Sequence, residues 1–214
     1  MKNLFNQICG YVCLSIFLLA LTSYPVSAAT QHTILIIGDS LSAEYGLSRG
    51  QGWAALLELR LRENKINAMV INASISGETS SGGKSRVESL LKKHQPDIAI
   101  IELGGNDALR GLALTSTYAN LRQMVTLAKQ YQAKPLLLGM RIPPNYGTVY
   151  AEQFFQLYSR IAKEEDISLV PFFLDGVAEK QELFQADRIH PLAAAHPIML
   201  NNVWPHLKPL LKKK

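Results

Sequence analysis

Short apolar runs, each followed by a turn and then by a helix-spaced segment, constrain this chain more than any other feature. Thr33-Ile34-Leu35-Ile36-Ile37 is the first, and Ala68-Met69-Val70-Ile71 and Ile98-Ala99-Ile100-Ile101 follow. Pro135 to Met140 and the shorter Ser168 to Pro171 complete the series. A strand that is apolar at every position has both faces buried, as in a parallel sheet covered by helices. The segments between the runs carry the 3.6-residue period. Trp53, Leu56, Leu57 and Leu61 repeat within 53–61; Val87, Leu90 and Leu91 repeat within 85–94. Longer helices are predicted over 115–131 and 149–165. A last one, over 192–207, carries Pro197 at a kink or in its first turn. The alternation predicts a three-layer α/β/α sandwich around a five-stranded parallel sheet, as one α/β domain.

The first 29 residues stand apart. Lys2 precedes an apolar run from Ile8 to Leu21, and Ser27-Ala28-Ala29 supplies small residues for cleavage. A charged start, a short apolar stretch and a small-residue site make a secretory signal peptide. The run is about 14 residues, against the roughly 20 that span a bilayer. Residues 1–29 are therefore expected to be removed, at Ala28 or Ala29, leaving 30–214 as an exported domain in the periplasm. The only cysteines, Cys9 and Cys13, lie in that segment. The domain that follows has no thiol nucleophile and no disulfide. No Cys/His spacing of the zinc kind appears, and no metal or organic cofactor is expected.

The net charge of +5 is mild, and Lys212, Lys213 and Lys214 contribute to it as a solvated tail. Nucleic-acid binding is not expected from that distribution. Nor is nucleotide binding. Gly77 and Gly82-Gly83-Lys84-Ser85 approach a phosphate-binding loop, but the lysine falls one residue late.

In parallel sheets the ligand site lies beyond the carboxyl ends of the strands. Four segments there carry reactive or hydrogen-bonding residues. They are Gly38-Asp39-Ser40-Leu41-Ser42, Asn72 to Thr79, Leu103-Gly104-Gly105-Asn106-Asp107 and Asp187-Arg188-Ile189-His190-Pro191. A serine hydroxyl needs a neighbouring base, which a histidine supplies near neutral pH. A carboxylate three residues before the histidine can hold the imidazole tautomer. Ser40, His190 and Asp187 thus form a candidate catalytic set. The N–H groups of Ser40 and Gly77, with the Asn106 amide, are candidate donors to an oxyanion.

The four segments resemble, in order, the four blocks of the SGNH (GDSL) hydrolase family. Ser40 stands in the Gly-Asp-Ser-Leu-Ser block, Gly77 in the second block, Asn106 in the Gly-x-Asn-Asp block, and Asp187 and His190 in Asp-x-x-His. Further stretches are similar to the periplasmic thioesterase, protease and lysophospholipase branch: Asn-Ala-Ser-Ile-Ser-Gly (72–77), Leu-Arg-Gly (109–111) and Pro-x-Asn-Tyr-Gly (143–147). The resemblance spans essentially all of 30–214 and implies a flavodoxin-like sheet. It implies hydrolysis of acyl esters and thioesters, including aryl esters and lysophospholipids, through an acyl-enzyme on Ser40. By the same match, Leu41, Gly105, Arg141 and Ile142 line the acyl pocket. A small-molecule substrate and a monomer with no membrane span after signal removal are expected. A carbohydrate deacetylase of the same fold and a catalytically silent binding module are the alternatives.

Each residue also has a structural reading. Ser40 suits a turn or a helix N-cap. His196, also followed by proline, is the rival base. Asp39 and Asp107 are expected to be structural hydrogen-bonders, and Trp53 and Trp204 helix residues of the core. Glu44-Tyr45-Gly46 and 192–196 depart from the family pattern and are expected to flank the entrance.

Overall fold

A computed structural model describes residues 31–212. The expected signal peptide, with Cys9 and Cys13, lies outside the described residues, as do Lys213 and Lys214.

Five strands form one parallel sheet: β1 (His32–Gly38), β2 (Ala68–Asn72), β3 (Ile98–Glu102), β4 (Lys134–Leu138) and β5 (Ser168–Val170). Their order is β2-β1-β3-β4-β5, the flavodoxin-like order. β3 is central, between β1 and β4, with Ile34 opposite Ile98 and Gly38 opposite Glu102 across the β1–β3 pair. Ile34 to Ile37 and Ile98 to Ile101 are fully buried, as their unbroken apolar pattern requires.

The helices are α1 (Trp53–Glu63), α2 (Ser80–His94), α3 (Gly105–Leu109), α4 (Leu114–Gln130), α5 (Thr148–Glu165) and α6 (His196–Leu207). The β1–β2 connection runs to one side of the sheet, and the three later crossovers run to the other. Right-handed crossovers in opposite directions place their helices on opposite faces. Accordingly α1 packs on α6, while α2 packs on α4 and α4 on α5. The core fills both interfaces, with Trp53, Leu57 and Met199 on one side and Val87, Met124 and Phe154 on the other.

Two boundaries differ from the sequence expectation. α2 begins at Ser80 rather than Ser85, and so takes in Gly82 and Gly83. Glycine disfavours a helix interior, but here packing decides. A Cβ on Gly83 would come within 2.3 Å of Leu103 Cδ1, and the Thr79 side chain caps the helix by accepting from the Gly82 N–H. α6 begins at His196 rather than near Leu192. Leu192 is extended, and residues 193–195 form a 3-10 turn that leads into Pro197 in the first helical turn.

Candidate active site

The strand order reverses between β1 and β3, and the crevice at their carboxyl ends is where such sheets bind ligands. Ser40 follows β1 and Asn106 follows β3 at this point. The Asn72 amide donates to Ser42 O at 2.7 Å, and the Ile75 N–H donates to Gly38 O at 3.0 Å. These two bonds hold the segment after β2 beside the serine.

Histidine arrives from the far end of the chain. His190 Nε2 lies 3.0 Å from Ser40 Oγ, and His190 Nδ1 lies 2.6 Å from Asp187 Oδ2. An ionised carboxylate only accepts, so Nδ1 carries the proton and Nε2 is left to accept from the serine hydroxyl. Asp187 Oδ1 also accepts from the Ile189 and His190 N–H groups, at 2.9 and 3.0 Å. The imidazole bond and these amides hold the Asp187 pKa down at about 2. Arg188, between the pair, adopts φ +58° to make the turn.

The expected oxyanion donors converge less simply. Gly77 has φ +78°, the left-handed conformation that glycine tolerates, and its carbonyl accepts from Arg110 at 3.0 Å. Among the described residues, neither the Ser40 nor the Gly77 N–H is spent on a protein acceptor. The Asn106 amide, in contrast, donates to Asp39 Oδ2 at 3.0 Å and to Glu78 O at 3.1 Å. Both of its hydrogens have acceptors at rest, so an oxyanion must take the place of one of them.

A buried carboxyl pair, Asp39 and Glu102, lies next to Ser40. Asp39 Oδ1 accepts from the Leu41 N–H at 3.0 Å, while the Asp39 N–H donates to Glu102 Oε2 at 3.2 Å. Ser42 Oγ also donates to Glu102 Oε2, at 2.7 Å, and Trp53 Nε1 donates to Ser42 Oγ at 3.1 Å. Glu102 Oε1 is buried without a partner among the described residues. Burial pushes the Asp39 pKa up to about 6, against the pull of the Leu41 and Asn106 bonds. Burial, then the neighbouring Asp39 charge, pushes Glu102 well above the usual carboxylate range.

A family model described as the GDSL-like lipase/acylhydrolase family matches residues 36–198. The chain belongs to this family. Among relatives of this GDSL-like acylhydrolase, "Esterase TesA" of Pseudomonas aeruginosa is 51% identical over 193 residues, covering 90% of this chain and 96% of its own. "Thioesterase 1/protease 1/lysophospholipase L1" of Escherichia coli K12 is 42% identical over 207 residues, covering 97% of each chain. A crystal structure of TesA superposes with TM-score 0.82 at 51% identity, covering 84% of this chain and 99% of that one. The psychrotrophic esterase EstA of a Pseudoalteromonas species, solved inhibited by monoethylphosphonate, gives TM-score 0.81 at 37% identity, covering 86% and 100%.

Within this acylhydrolase the four expected pocket residues part company. Leu41 is buried directly after Ser40, and Gly105 lies beside Asp39, a Cβ there standing 3.7 Å from Asp39 Oδ2. Ile142 is buried in the core. Arg141 is exposed, with its guanidinium 3.7 Å above the Phe155 ring. It helps line a cavity of about 500 Å³ with Phe172, Asp175 and Asn201, and none of Ser40, Gly77, Asn106 or His190 borders that cavity.

Asp107 and Trp53 take the structural places expected of them, and the rival base His196 is bonded elsewhere. Asp107 accepts from Ser80 and Thr117, so it ties α2 and α4 to the block-three turn. His196 is buried and accepts from the Trp53 N–H at 3.0 Å, away from the serine. Trp53 is fully buried. Trp204 is only half-buried, with Arg60 over its ring at 5.8 Å.

Sequence reasoning missed several supporting residues. The Tyr45 ring lies 4.2 Å from the His190 ring, tilted by 37°. Gln185 donates to Tyr45 O at 2.9 Å and to Pro191 O at 3.3 Å, clipping the serine segment to the histidine segment. Arg86 pairs with Glu78 and donates to Ala73 O at 2.5 Å, bracing the turn before Gly77. Only the departure of Glu44-Tyr45-Gly46 from the family pattern hinted at the first of these.

Proposed function

We propose that this chain is a serine hydrolase of acyl esters and thioesters, aryl esters and lysophospholipids among them, acting through an acyl-enzyme on Ser40. The observation that carries the reading is the unbroken relay Ser40 Oγ, His190 Nε2, His190 Nδ1, Asp187 Oδ2 at 3.0 and 2.6 Å. In this reading Ser40 Oγ bonds to the acyl carbon as its proton passes to His190 Nε2. The carbonyl electrons move onto oxygen, where the Ser40 and Gly77 N–H groups and Asn106 receive the charge. The intermediate then collapses, the bond to the leaving oxygen or sulfur breaks, and His190 protonates that atom. Water repeats the sequence against the acyl-enzyme, with His190 again as base, and releases the acid. Asp187 keeps the imidazole in the required tautomer and stabilises its cation.

The names of the relatives, esterase, thioesterase, lysophospholipase and arylesterase among them, support this range of substrates. Leu41, Gly105, Arg141 and Ile142 are assigned to acyl-chain contacts on the family match alone. The sequence of 1–29 supports export, and a periplasmic monomer is the form we assign.

Two measurements test the reading. A fluorophosphonate is expected to label the parent at Ser40 and to leave Ser40→Ala unlabelled. A series of p-nitrophenyl esters from acetate upward is expected to show turnover extending to octanoate and beyond. No labelling and no turnover would make the chain a silent binding module. Activity confined to acetate would favour a deacetylase.

A further inference from the structure

Nine large hydrophobic side chains are exposed among the described residues, and only Leu59 and Met69 lie within a helix or strand remote from the carboxyl edge of the sheet. The other seven lie on the connections that leave the carboxyl ends of the strands, in segments linked to those of Ser40, Gly77 and His190. Bonds between the segments that carry them trace two continuous arcs. In the first, Tyr45 stacks on His190, and Ile189 and Leu192 flank that histidine. In the second, Ile75 is tied to Gly38, and Gly77 is tied to Arg110. Leu112 then accepts through its carbonyl from Tyr150 at 2.8 Å, which brings in Tyr146 and Val149. Val149 is 71% exposed. Isolated apolar side chains on a surface need no explanation, whereas a group gathered around one opening marks an interaction surface.

The acids of the same segments are mostly buried or held by a neighbour. Asp187 is exposed, as is Glu152 near the start of α5, which accepts from Gln156. Asp39 and Asp107 are buried. Glu44 accepts from the Gly50 and Gly52 N–H groups, Glu78 pairs with Arg86, and Asp187 with His190. Arg49, Arg110 and Arg188 remain exposed. The rim thus presents apolar tips among arginines.

We propose that this rim seats the enzyme on an anionic lipid surface, with the Ser40 mouth facing the acyl groups it hydrolyses. Apolar side chains enter the acyl boundary and arginines meet the headgroup phosphates. A second copy of the chain on the same rim would close the mouth, and two such rims would set arginine against arginine. A bilayer matches both the apolar and the cationic character and supplies substrate to the opening. The proposal rests on the acyl-hydrolase reading for its purpose, and not for its test.

The test uses the chain from Gln31 onward, which contains every strand and the whole core described; the solved TesA chain is matched over 99% of its length by 84% of this one. It is sedimented with vesicles of phosphatidylcholine, alone or with about three parts in ten phosphatidylglycerol. Binding is expected to the anionic vesicles and to weaken as salt rises. The combined variant I75S/L112S/V149S is expected to bind at least about tenfold more weakly. Its hydrolysis of water-soluble p-nitrophenyl acetate is expected to stay within about twofold, because none of the three touches the relay. Should that variant fail to fold, Val149→Ser alone is read for the same weakening. Arg188→Gln is expected to reduce the preference for anionic vesicles. Absence of binding to anionic vesicles, or unchanged binding by the variants, overturns the proposal. So does a concentration-dependent dimer that the variants abolish in place of vesicle binding. Ser40→Ala keeps the vesicle binding and loses hydrolysis. If it kept both, the catalytic reading would fall and the docking would stand.

Discussion

Asp187 and Asp39 depart from the ordinary aspartate pKa in opposite directions, for opposite reasons. Asp187 is partly exposed and lowered to about 2 by hydrogen bonds to its charged form. Its contribution to stability is present above 3.8, the unfolded value, and is lost as pH falls toward about 2. Asp39 is buried and raised to about 6. Its contribution is full below 3.8 and is lost as pH rises through about 6, because the folded state then holds a charge it disfavours. Asp39→Asn is therefore expected to gain stability relative to the parent as pH rises across that window, measured as urea midpoints at a series of pH values. Above it the ionised Asp39 still anchors the Asn106 amide, so the same variant is expected to lose turnover while gaining stability. Asp187→Asn is expected to lower kcat by about three to four orders of magnitude with KM nearly unchanged, since the imidazole would take the wrong tautomer. Steady-state kinetics on p-nitrophenyl esters checks both.

At the scale of elements, the site depends on turns that only certain residues can make. Gly104 has φ +110°, and a Cβ there would stand 2.5 Å from the Tyr158 hydroxyl. That hydroxyl donates to Leu103 O at 3.0 Å and so supports the β3–α3 turn. Gly104→Ala is expected to cost about 1–3 kcal/mol in urea unfolding and to reduce turnover by displacing Asn106. The strands were legible in the sequence because Ile34 to Ile37 and Ile98 to Ile101 need apolar surroundings on both faces. The start of α2 was not, because Gly82-Gly83 reads as a breaker until Leu103 is known to lie against it. That Ser40, Asp187 and His190 would meet was legible through local spacing and ordered motifs. The Tyr45 stack, the Gln185 clip and the Glu102 carboxyl beside Asp39 were not, because each joins residues far apart in the chain and leaves no local pattern.

For the whole molecule, the relevant division lies near residue 30. Every strand and the entire core described lie after it. A chain starting at Gln31 is expected to match the full-length protein in urea midpoint and in p-nitrophenyl ester turnover. Exported protein is expected to begin at Ala29 or Thr30 by intact-mass measurement. A mass that retains residues 1–28 would instead make the segment an anchor. With no cysteine after Cys13, stability is also expected to be indifferent to reductant, as the same unfolding curve with and without dithiothreitol would show.

The serine and its base stand 150 residues apart, at nearly opposite ends of the domain. Contacts of such long range form late, since the loop they close is the costliest in entropy. A chain exported in extended form, as the signal-peptide reading expects, would carry Ser40 out long before His190. Until the final segment has docked, Ser40 is an ordinary alcohol. The order of residues thus ties completion of the Ser40–His190–Asp187 relay to completion of the fold.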